Sequence, residues 1–96
     1  MAATKLSDQE ISANLAKLKG WSIEHGSLHR TFEFADFGQA FGFMVQVALA
    51  AEKMDHHPDW SNAWNKVVIN LMTHSAGGLT KNDFDLAAKI QQIFGG

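Results

Sequence analysis

The stretch from Phe37 to Met54 constrains the fold more than any other part of this chain. Asp36 followed by Gln39 is a capping pair that opens a helix. Along that helix Phe37, Phe41, Val45 and Ala48 make one apolar row, and Phe43, Val47, Ala51 and Met54 make another. A helix that is apolar on two sides is buried on two sides. One side is expected to meet a sheet, the other the neighbouring helices or a second subunit.

The flanking segments supply that sheet. Ser7-Asp8-Gln9-Glu10 has the form of a capping box, with Leu6 and Ile11 as a hydrophobic staple. Ile11, Leu15 and Leu18 then keep helical spacing, which predicts a helix over residues 8–19 ended by Gly20 in a left-handed cap. Trp21 to Glu24 alternates, His25-Gly26 offers turn residues, and residues 28–34 resume in extended form. A turn centred on His25-Gly26 sets Ile23 opposite Leu28. It also puts Trp21, Ile23, Leu28, Phe32 and Phe34 on one face, with His29, Thr31 and Glu33 on the other. Pro58, the only proline, drives His57 out of helical geometry. Trp60 begins a short strand, and residues 62–65 hold turn signals. Residues 66–74 alternate, with Val67, Ile69, Leu71 and Thr73 the better core face. Thr80 then caps a last helix, with Asp83 at its third position and Leu79 and Phe84 as a second staple. The order αββαββα is an α+β fold, a four-stranded antiparallel sheet with three helices packed on one face.

Composition narrows the function. Ninety-six residues, 46% apolar and 19% charged, favour one globular domain over 1–96. A domain of this size buries roughly 60–65% of the surface its unfolded chain exposes. The net charge is -2 and no basic block exists, so direct nucleic-acid binding is not expected. There is no cysteine, hence no disulfide framework and no thiolate zinc site, which suits a reducing cytosol. The first residues lack the apolar core of a signal peptide, so a cytoplasmic location is expected. The longest apolar stretch, residues 41–51, is too short and too interrupted by Gln46 to span a bilayer.

Chemistry concentrates in Asp55-His56-His57-Pro58-Asp59-Trp60 and in Thr73-His74, which together hold three of the five histidines. If the second hairpin turns near Asn65, residues opposite each other sum to about 130, which sets His56 across from His74. Imidazole is the side chain best suited to move protons near neutral pH. Three histidines together could transfer protons, bind a metal such as zinc, or form a structural polar cluster. Asp83 could orient a histidine, although its capping position also explains it. Glu52 and Asp55 are acids at a helix C-terminus, which the helix dipole disfavours, and this points to a site role. Trp60 and Trp64 suit a core or interface position more often than a ligand platform, and Trp60 is the better platform candidate because it lies two residues from Pro58.

With these residues laid out, the chain resembles the pterin-4a-carbinolamine dehydratase family. The resemblance rests on Glu52-Lys53-Met54-Asp55-His56-His57-Pro58-Asp59-Trp60, on Asn65-Lys66-Val67 with the strand to Thr73-His74, and on Gly78-Leu79-Thr80 with Asp83, Leu86 and Ala87. It implies dehydration of a 4a-hydroxytetrahydropterin to the quinonoid dihydropterin, which recycles the pterin cofactor of aromatic amino-acid hydroxylases. It implies catalysis by His56, His57 and His74, with supporting or substrate-binding roles for Glu52, Asp55, Pro58, Trp60, Thr73 and Asp83. No metal or organic cofactor is implied. The implied partners are the pterin itself, a second copy of the chain in a homodimer or homotetramer, and a hydroxylase in the same pathway. The alternative function is a protein-binding module, since animal relatives act as a dimerisation cofactor for a homeodomain transcription factor. Asn82 departs from the arginine of animal members, and Trp64 stands where tyrosine is common.

Overall fold

A computed structural model describes residues 3–95. Met1, Ala2 and Gly96, part of the expected 1–96 domain, lie outside them. The elements run α1 (Asp8–Leu15), β1 (Ser22–Glu24), β2 (Ser27–Glu33), α2 (Phe37–Met54), β3 (Asp59–Ala63), β4 (Lys66–Leu71), a 3₁₀ turn (His74–Ala76) and α3 (Lys81–Phe94). The strands form one antiparallel sheet in the order β1-β2-β4-β3. This is the expected α+β arrangement of three helices and four strands.

Both hairpins follow from their turns. His25 and Gly26 take φ of 51° and 80°. Two successive positive values give a type I′ turn, whose twist suits a two-residue hairpin. Ile23 pairs with Leu28 as expected. In the second hairpin the register differs by one residue from the expected sum. Trp60 faces Ile69 and Asn62 faces Val67, because the two-residue turn is Trp64-Asn65 with Trp64 at φ 51°. Asn62 holds this turn by donating its side-chain amide to the carbonyls of Trp64 (3.1 Å) and Lys66 (2.8 Å).

The first helix ends earlier than expected, at Leu15. The Asn14 side chain donates to the Glu10 carbonyl (2.8 Å). Beyond it Lys17 and Leu18 donate to carbonyls three residues back, which tightens the final turn. Gly20 is left-handed (φ 85°), and a Cβ there would come within 2.9 Å of the Arg30 guanidinium carbon. Its smallness therefore serves a close approach as well as a turn. Arg30 stacks over the Phe32 and Phe94 rings, and burial lowers its pKa from the ordinary value.

The core lies between one face of the sheet and the helices. Leu28, Phe32, Val67, Ile69 and Leu71 come from the strands, Phe43, Val47 and Ala51 from α2, and Leu86, Ala87 and Ile90 from α3. The other face of the sheet is polar, with Thr31, Glu33, Asp59 and Ser61 exposed. Only one row of α2 is buried within the chain. Phe37, Phe41, Val45 and Leu49 are 48, 52, 43 and 67% exposed along the opposite side. Among the described residues no helix is long and apolar enough to cross a membrane.

The two sheet faces make a measurable contrast. Leu28 is fully buried and should cost about 2–5 kcal/mol on Leu28→Ala. Thr31→Ala on the open face should change stability by less than about 0.5 kcal/mol. Urea unfolding of both variants checks the assignment, and similar costs at the two positions would contradict it.

Candidate active site

The site begins where α2 ends. Asp55 adopts the left-handed conformation (φ 52°) and donates its N–H to the Glu52 carbonyl, while the His56 N–H donates to the Ala51 carbonyl. This pair of bonds is a Schellman motif with aspartate in the position usually given to glycine. It turns the chain sharply out of the helix. Pro58 then keeps His57 extended. Two adjacent residues therefore leave the same turn in different directions.

His56 turns inward. Its Nε2 lies 2.6 Å from Oδ1 of Asp83, and its side chain is 11% exposed while that of Asp83 is fully buried. The other Asp83 oxygen accepts from the Thr73 hydroxyl (2.8 Å) and from the Thr80 N–H (2.9 Å). The Thr73 and Thr80 hydroxyls are themselves 2.8 Å apart. Asp83 thus joins the turn after α2, the segment after β4 and the start of α3. Its capping position and its contact with a histidine are both present.

His57 turns outward. Its Nε2 lies 2.7 Å from Oε1 of Glu52, one turn back on α2, with the two side chains 57 and 78% exposed. Solvent screens such a pair, so it orients the ring weakly.

His74 does not continue β4. The strand ends at Leu71, and Thr73 forms an isolated bridge with Gly78, exchanging N–H···O bonds of 3.1 and 3.4 Å. Residues 74–77 form the loop between the bridged residues, with Gly77 left-handed at φ 73°. His74 opens that loop and is exposed. The expected pairing of His56 directly across from His74 is not formed. The β3–β4 ladder stops at Asp59 opposite Asn70, and the inward turn of His56 takes it toward α3 instead. The connection between them runs through side chains, from His56 to Asp83 to Thr73, the neighbour of His74.

The remaining candidates fall around this junction. Trp60 lies in β3, half-buried against the core. Asp55 is exposed and Pro58 half-buried. The hydroxyl of Thr80 was not among the expected site residues. Its cap position is visible in the sequence, but its contact with Thr73 depends on the bridge that brings residues 73 and 78 together. Among the described residues no three His, Cys, Asp or Glu side chains converge in a way that could hold a metal ion. The grooves between α2 and α3, lined in part by Gln46, Leu49, Lys89 and Gln92, contain none of the three histidines.

Comparison with known proteins identifies the family. The family model described as pterin 4 alpha carbinolamine dehydratase matches residues 4–93. A protein of Solibacter usitatus that carries the pterin-4-alpha-carbinolamine dehydratase name is 50% identical over 93 residues, covering 97% of this chain and 98% of its own. One from Mesorhizobium japonicum with the same name is 52% identical over 98 residues and covers both chains fully. The crystal structure of a transcriptional coactivator/pterin dehydratase from Brucella melitensis superposes with a TM-score of 0.91 at 44% identity, covering 94% of this chain and 98% of that one. The chain belongs to the pterin 4 alpha carbinolamine dehydratase family.

Proposed function

We propose that this protein is a cytoplasmic dehydratase that converts a 4a-hydroxytetrahydropterin to the quinonoid dihydropterin by histidine acid–base catalysis. Family membership supports the reaction class. The observation that carries the catalytic reading is the 2.6 Å contact between His56 and the fully buried Asp83. It lies one residue from His57 and, through Thr73, one residue from His74.

The reaction needs what imidazoles supply. The carbon–oxygen bond at C4a breaks, and the hydroxyl leaves as water once it has taken a proton. The lone pair of the adjacent ring nitrogen closes a C=N bond, and that nitrogen releases its proton. One water is lost and the oxidation level is unchanged. A general acid and a general base held in place suffice, and each contributes about 10²–10⁴-fold. His57 is the main proton donor or acceptor and His74 its counterpart. His56 binds the pterin and shares in proton transfer. Asp83 orients His56, while Glu52 faces His57 at 2.7 Å. Asp55 and Pro58 shape the turn that carries both rings, and Trp60 walls the flat substrate. The product would re-enter the cycle of a pterin-dependent aromatic amino-acid hydroxylase.

The chain also self-associates in this reading, as a homodimer or homotetramer. Phe37, Phe41, Val45 and Leu49 recur every four residues on the exposed side of α2, and the Phe37 and Phe41 rings stack at 5.7 Å. A row this apolar is suited to a partner surface rather than to water, and a second copy presents the same row.

Two measurements follow. In stopped-flow dehydration of freshly generated carbinolamine, His57→Gln and His74→Gln should each lower turnover by about 10²–10⁴; unchanged rates in both would end the catalytic assignment. In light scattering, wild type should exceed the 10.6 kDa of one chain, and Val45→Glu with Leu49→Glu should reduce the assembly. A wild type that is monomeric at micromolar concentration would contradict the self-association reading.

A further inference from the structure

The proton inventory around Asp83 assigns a role that the functional reading leaves open, namely which nitrogen of His56 exchanges protons. The inference rests on that reading for its catalytic meaning but not for its geometry. Thr80 contributes a backbone N–H, which can only donate, to Oδ2. Thr73 spends its single hydroxyl proton on the same oxygen. With both bonds on Oδ2 accepted, Asp83 acts as a carboxylate, which is acceptor-only. Oδ1 then also accepts, and its partner 2.6 Å away is His56 Nε2. Two bare acceptors at that distance would repel, so the proton sits on Nε2.

We infer that buried Asp83 fixes His56 as its Nε2–H tautomer, leaving Nδ1 as the ring nitrogen that takes and gives the proton. A neutral His56 offers the Nδ1 lone pair as base, and a cationic His56 offers Nδ1–H as acid. His57 and His74 have no such constraint, since one pairs only with an exposed carboxylate and the other lies on an exposed turn. Because Thr73 has given its proton to Asp83, the 2.8 Å contact between the two hydroxyls requires Thr80 to donate to Thr73. Thr80 is therefore a positioning residue acting through Thr73 and Asp83, in a chain of hydroxyls each polarised by the next.

The test uses full-length protein labelled with ¹⁵N at histidine, with ring tautomers read from long-range proton–nitrogen correlations while the rings are neutral. His56 should show the Nε2–H pattern alone, with His57 and His74 averaged. Asp83→Asn should reverse the pattern. The Thr80 N–H needs an oxygen, so the new amide must turn its NH₂ toward His56, which then protonates at Nδ1. An aspartate-to-asparagine change in a buried His–Asp pair selects the wrong tautomer in this way while leaving the geometry intact. Turnover of this variant should fall by about 10²–10⁴. Thr80→Val should begin to average the His56 tautomer and lower kcat by about 3–10-fold, the worth of one hydrogen bond. Thr80→Ser should restore both. A wild-type His56 that is Nδ1–H or averaged overturns the inference, and this outcome does not depend on any variant folding. A fixed Nε2–H tautomer unaffected by Thr80→Val overturns the role of Thr80. A wild type without dehydration defeats the functional reading instead, and the tautomer is still decided by the spectrum.

Discussion

A carboxylate with no exposure to water is the constraint around which one end of this molecule is built. Burying an ionised group without partners costs several kcal/mol, so Asp83 can be tolerated only where donors converge on it. They come from three places: Thr73 after β4, the backbone of Thr80 at the start of α3, and His56 after α2. None of these segments can shift alone without leaving the charge unsatisfied. The position of Asp83 in the first turn of α3 adds the favourable end of the helix dipole. The rigidity of this junction thus arises from the condition that makes a buried charge bearable, and the proposed proton transfer would draw on it.

The exit from α2 divides two adjacent histidines between different environments. A non-glycine residue in the left-handed region is uncommon, and aspartate is among those that tolerate it. At Asp55 this conformation closes the Schellman motif and aims His56 at α3. Pro58 then limits His57 to an extended backbone, so its ring stays on the solvent side against Glu52. One ring is held by a buried carboxylate and the other is held weakly by an exposed one. Such a contrast suits the proposed reaction, which must protonate a leaving hydroxyl and accept a proton from the same flat substrate.

Much of the frame is legible in the sequence, and the reasons are local. Ser7 with Glu10, Asp36 with Gln39 and Asp83 following Thr80 mark helix starts because capping is chemistry within four residues. His25-Gly26 marks its hairpin because both residues tolerate positive φ. The misses are tertiary. Tryptophan is no signal for a left-handed turn, so the one-residue register of the second hairpin could not be read at Trp64. His74 looks like the end of a strand until the Thr73–Gly78 bridge diverts it into a loop. The histidine cluster itself is legible as a motif, and so is Asp83 as a group that could orient a histidine, whereas the choice of His56 as its partner is not, since it depends on the turn after α2. The second apolar row of α2 is legible as surface seeking a partner, and among the described residues Phe37, Phe41, Val45 and Leu49 stay exposed.

In the proposed function the Asp83 junction and its flanking histidines form the pterin site. A crystal structure with a bound reduced pterin analogue tests this most directly. The ring should lie beside the turn after α2, with His56 Nδ1 and at least one of His57 and His74 within about 2.6–3.2 Å of its polar atoms. A pterin seated between α2 and α3, against Gln46 and Gln92 and touching no histidine, would contradict it.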